Sequence, residues 1–133
     1  MGASVEQDRP VNTVALTFQP APEHVRTARL VAVAVARRAG LDEARLDEIR
    51  LAVGEVCARA VRRCVATGVF GAVQVEIDDA GPLFGITVTD GASAADDDDE
   101  AIALALVRGL ADSVTVDEGP GGVGGVVCIR WAR

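Results

Sequence analysis

LDEIRLAVGEVCARAVRRCV, residues 46–65, is the stretch from which the rest of the chain is read. Leu46, Ile49, Val53, Cys57, Ala60 and Cys64 recur at intervals of three and four, the spacing of one buried helical stripe. A more polar stripe, Glu48, Ala52, Glu55, Arg59 and Arg62, runs along the flank. Glu55 and Arg59 stand one turn apart on that face. Upstream, Asp42 is placed to cap the helix, with Leu41 and Leu46 spaced as a hydrophobic staple. Downstream, Thr67-Gly68 ends it.

Working outward toward the N-terminus, Val25, Ala28, Ala32, Val35 and Ala39 mark a helix opened by Pro22 and closed by Gly40. Arg26, Arg29, Arg37 and Arg38 decorate it, and His24 in its first turn reads as a solvent-exposed helix residue. Before it, Thr13–Gln19 alternates as a half-buried strand, stopped by Pro20. Residues 1–12 read as a flexible lead-in, which leaves 13–133 as one domain. Toward the C-terminus, Ala72–Asp78 and Leu83–Thr89 alternate about the turn Asp79-Ala80-Gly81-Pro82. A small acidic segment then leads to a helix from Glu100 to Ala111, with Ile102, Leu106 and Leu110 expected inward. Strands Ser113–Glu118 and about Gly124–Trp131 close the chain. The order β-α-α-β-β-α-β-β predicts an α+β two-layer sandwich, a mostly antiparallel five-stranded sheet with three helices on one face.

The totals narrow the function. With 133 residues the chain can bury a sizeable core, and a formal charge of −7 with three Phe, one Trp and no Tyr gives nucleic acid little to stack on. No apolar run approaches the roughly 18 residues that span a bilayer. The polar start MGASVEQDRP lacks a signal core and fails a myristoylation pattern at Glu6, so a cytoplasmic chain is expected. Cys57, Cys64 and Cys128 fall at apolar or strand positions and read as buried free thiols. One His makes a zinc site untenable.

Local motifs for chemistry are sparse. Gly119–Gly125 precedes a strand, so no helix N-terminus receives a phosphate there. No serine has the context of a nucleophile elbow. Asp96–Asp99 with Glu100 reads as a solvated run feeding a helix cap at Asp98 or Asp99, because the glycine and spacing of a calcium loop are missing.

Four blocks in combination say more: LDEIRLAVGEVCARAV at 46–61, FGITVTDG at 84–91, ALALVRGLADSVTV at 103–116 and GGVVCIRW at 124–131. In order and spacing they resemble the anti-sigma-factor serine kinases of the histidine-kinase-like ATPase superfamily, the Bergerat fold. The resemblance covers about residues 13–132. It implies that Glu55 orients or activates the attacking group and that Asp90 bonds the adenine amino group. The position of the family's magnesium-holding Asn is Arg59, whose guanidinium has donors and no lone pair for a cation. Gly91 is followed by Ala92 and Ser93, losing the glycine spacing after Asp90. The lid's Gly-x-Gly becomes Ala101-Ile102-Ala103, and a Gly-Thr pair becomes Gly125-Val126. Arg59, Asp90, Gly91, Ala103 and Gly125 are thus candidate remnants of a nucleotide site. For Glu55 and Arg59 the plain alternative is an intrahelical ion pair worth about 0.2–0.5 kcal/mol.

What the resemblance implies is a regulator that sequesters a sigma factor, is released by an antagonist protein, and forms a homodimer. The early-helix residues Arg26, Arg29, Arg37 and Arg38 are its expected partner surface. With the motif losses, neither a cofactor nor a metal is expected, and the protein works by binding. The enzymatic alternative is an active serine kinase using ATP and magnesium to phosphorylate the antagonist, with Glu55 as base, Asp90 reading adenine and Arg59 contacting phosphate. A third reading keeps the fold as a scaffold in another signalling system.

Overall fold

The computed structural model describes residues 13–93 and 98–133. The expected lead-in at 1–12 and the acidic positions Asp96 and Asp97 lie outside the described residues. The elements run β1 Thr13–Phe18, α1 Glu23–Arg38, α2 Glu43–Thr67, β2 Val73–Asp78, β3 Leu83–Asp90, α3 Asp98–Leu110, β4 Ser113–Glu118 and β5 Gly125–Ala132. The predicted order holds throughout.

Local chemistry sets these boundaries. Asp42 accepts a hydrogen bond from the Arg45 amide at 2.9 Å and so satisfies a donor that α2 leaves open. At the other end Gly68 adopts φ 70°, and its amide returns to the last turn. The Asp78 carboxylate accepts from the Ala80 amide at 2.9 Å and bends the chain between β2 and β3.

All four strand pairings are antiparallel, in the order β1-β2-β3-β5-β4. The register stacks inward residues across neighbours: Val75 opposite Val88, Ile77 opposite Ile86, Ile86 opposite Ile129, Val88 opposite Val127. Those side chains are buried beneath α2, whose stripe from Leu46 to Cys64 is buried as predicted. Phe84 faces Trp131 with ring centroids 6.4 Å apart, and the Trp131 indole donates to the Leu110 carbonyl at 2.9 Å. The other face of β2 presents Gln74, Glu76 and Asp78 to solvent, so the helices lie on one side only.

Four expectations need correction. In α3, Ile102 is 68% exposed and Leu106 49%, with Leu110 only half-buried; Glu100, Ala103, Leu104 and Val107 are the buried residues. The helix is rolled about one residue (about 100°) from the predicted orientation, because Ala and Leu alternate along it and offer two apolar faces. It also begins at Asp98, which puts Asp98, Asp99 and Glu100 in the first turn, where the helix dipole favours carboxylates. His24 is half-buried, its ring 6.0 Å from that of Phe18. Cys57 and Cys64 are buried free thiols as expected, while Cys128 is half-buried and accepts from the Thr87 hydroxyl at 3.4 Å.

Candidate functional site

The antiparallel register of β3 and β5 sets Asp90, the last residue of β3, opposite Gly125, the first of β5. Gly124, just before it, has φ 80°, and a Cβ there would stand 2.1 Å from the Asp90 carbonyl oxygen. Only glycine fits such an approach. The Ser93 hydroxyl accepts from the Gly124 amide at 2.8 Å and ties the segment after Asp90 to the start of β5.

Over this junction lies the C-terminal half of α2. Arg63 donates through Nη2 to the Ala92 carbonyl at 2.6 Å, and its Nε stands 3.4 Å from Asp90 Oδ2. The other carboxylate oxygen, Oδ1, accepts from the Ala92 amide at 2.8 Å. Both side chains are buried. The neighbouring Arg62 points the other way and donates through Nε to Glu100 Oε1 at 2.6 Å, which fastens α3 to α2.

Cys64 sits beside the Arg63–Asp90 pair. Burial pushes its thiol up, the Asp90 carboxylate adds to the rise, and the Gly91 amide and Arg63 moderate it.

Arg59 is 3% exposed. The sequence placed it on a more polar flank with Ala52, which is also buried. Among the described residues no ion pair joins Glu55 to Arg59, and Arg59 is buried like Arg63. Glu55 stays half-buried at the mouth of two hollows. One, of about 380 Å³, is shared with Ala103, Ile102, Leu106, Asp99 and Arg62. The other is a groove of about 480 Å³ between α1 and α2, walled by Val25, Leu51 and Val61 and rimmed by Arg26, Arg29, Arg50 and Arg62.

The candidate residues thus fall into two groups. Asp90, Gly91 and Gly125 meet at the strand ends, where Arg63 joins them. Glu55 meets Ala103 on the α3 side, and Arg26 and Arg29 on the α1 side. Arg37 is exposed on a second depression with Arg26 and Arg29, and Arg38 is exposed at the end of α1. Sequence reasoning missed Arg63 and Glu100. The signal for Arg63 was its spacing: Ala52, Val56, Arg59 and Arg63 follow at four, three and four, a helical face whose last two members are arginines.

Residues 18–131 match the family model described as the histidine kinase-like ATPase domain. The chain belongs to that family. No curated protein matches it. Its fold is similar to the crystal structure of the RsbU and RsbW domains of Rv1364c from Mycobacterium tuberculosis, with 19% identity, a TM-score of 0.71 and 90% of this chain covered. This histidine kinase-like ATPase domain spans about a third (32%) of the length of that structure. At that identity the likeness is one of fold. No helix among the described residues is long and apolar enough to cross a membrane.

Proposed function

We propose that this histidine kinase-like ATPase domain is a cytoplasmic regulator of the anti-sigma-factor type, a homodimer that acts by binding and not by phosphoryl transfer. It holds a sigma factor and yields it to an antagonist protein that competes for the same chain. The observation that carries the reading is the engagement of Asp90. Both its oxygens have partners within the chain, Arg63 at 3.4 Å and the Ala92 amide at 2.8 Å. A carboxylate neutralised by a buried arginine is a weaker acceptor for an adenine amino group.

The residues around it do not fit magnesium-ATP. Arg59 at the cation-holding position has no lone pair to give. Ala101 and Ala103 lie inside the regular helix α3, where the family's glycines would leave a loop pliable. The Arg62–Glu100 bond holds that helix against α2.

The binding surface in this reading is the α1–α2 groove, whose apolar walls and arginine rim suit an acidic amphipathic segment of a partner. Charge reversal of Arg29 should then lower affinity for the cognate sigma factor at least tenfold. Unchanged affinity would move the surface elsewhere on the molecule.

Calorimetric titration of the purified protein with ATP and magnesium tests the nucleotide half of the reading. No heat at millimolar nucleotide is expected. Micromolar binding that is lost in Asp90→Asn would favour the kinase alternative, with Glu55 as base.

A further inference from the structure

Three elements end on one planar cation. The Arg63 guanidinium, from α2, lies against Asp90 of β3, donates to the Ala92 carbonyl at 2.6 Å, and faces Gly125 of β5. A Cβ on Gly125 would stand 3.3 Å from Arg63 Nη2 and 3.5 Å from Asp90 Oδ2. The glycine therefore leaves room for a guanidinium at this point. A buried carboxylate requires donors, since an unpaired charge in the interior is strongly destabilising. In this chain the donor is the Ala92 amide and the counter-charge is Arg63.

We infer that Arg63 is the resident ligand of this site: its guanidinium, in an ion pair at 3.4 Å, supplies to Asp90 the positive partner that an external amino-bearing ligand would otherwise bring. By bonding Ala92 as well, it holds Asp90, Gly91 and Ala92 in one geometry. The liganded form of the strand ends is then permanent and needs no small molecule. This rests on the proposal that the protein does not use nucleotide, and goes further by naming what replaces it. The site belongs to a class that takes planar cations with N–H donors along two edges, guanidinium or amidinium, once the tether is cut.

Truncating Arg63→Ala removes the equivalent of one ethylguanidinium, which is the probe. Melting is followed for wild type, Arg63→Ala and Arg63→Ala with Asp90→Asn, in ethylguanidinium chloride against equal sodium chloride. Tens of millimolar probe should raise the melting temperature of Arg63→Ala by about 3–6 °C. Wild type and the double variant should not respond beyond the salt control. A folded Arg63→Ala protein indifferent to the probe overturns the inference.

Should Arg63→Ala fail to fold even with probe, the wild-type protein decides. Slow exchange of the Arg63 Nε–H by NMR, lost in Asp90→Asn, supports the resident ligand. Exchange as fast as that of exposed Arg38 overturns it. Nucleotide binding by the wild type would sink the functional reading on its own evidence, whereas an absent rescue removes only the internal ligand.

Discussion

Arg62 Nε and Glu100 Oε1 meet at 2.6 Å, joining the C-terminal part of the central helix to the first turn of α3 across 38 residues of sequence. Glu100 is 5% exposed, yet it enters the fold from an acidic run that looks entirely solvated in sequence. The pair therefore works as a fastener between the two helices.

Removing the buried member should loosen that fastening. Glu100→Ala is expected to lower stability by about 1–3 kcal/mol, discounted from a fully buried pair because Arg62 is half exposed. Amide exchange should rise along α3 more than along α1. Chemical denaturation with hydrogen exchange checks both; uniform acceleration across all helices would show that Glu100 holds no particular element.

The orientation of α3 gives a second test. Ile102→Ser and Leu106→Ser should each change stability by no more than about 0.5 kcal/mol, since both side chains are largely in solvent. Leu104→Ala should cost about 2–4 kcal/mol. Urea midpoints that reverse this ranking would restore the face expected from sequence.

Gly54 lies in the middle of α2 beneath Arg29, and an added Cβ would come 2.9 Å from the Arg29 Cδ. That atom is near the end of a flexible chain and can move aside. Gly54→Ala should therefore stabilise the protein by about 0.5–1 kcal/mol through helix propensity. A loss above 1 kcal/mol in thermal unfolding would mean that Arg29 is locked over the helix.

Alkaline stability follows from Cys57, whose thiol burial pushes up to about 12 against an ordinary 9.0, with Arg29 pulling weakly the other way. The unfolded chain loses this proton from about pH 9 while the folded one keeps it, so the unfolded state binds fewer protons and stability falls as pH rises. The decline should reach about 1.4 kcal/mol per pH unit between 9 and 12. The chain has no Lys and no Tyr, so neither lysine nor phenol obscures the range. Cys64, also raised, adds to the slope. Denaturation midpoints of wild type and Cys57→Ala from pH 8 to 11 test this; equal slopes would reject it.

The candidate site was legible where it rests on backbone geometry. Asp90, Gly91 and Gly125 sit together because strand register places them so, and register follows from alternation that is visible in sequence. Glu55 was found by its place on α2. Arg63 and Glu100 were not, because a charged side chain reveals in sequence neither its depth nor its partner. Thirteen Arg stand among 20 acidic residues, and periodicity alone pairs none of them across elements.

By itself the sequence determined the elements, their order and the antiparallel sheet. These depend on local forces: capping at Asp42, the turn at Asp78–Ala80, strict alternation in β2 and β3, the threes and fours of α2. Only the tertiary structure decided which way α3 faces and that Arg59 and Arg63 are buried. Ala-Ile-Ala-Leu-Ala-Leu-Val carries two apolar faces of similar merit, and contacts from another element choose between them. The same holds for α2, where Arg63 enters the interior and meets Asp90 and the Ala92 carbonyl, far along the chain.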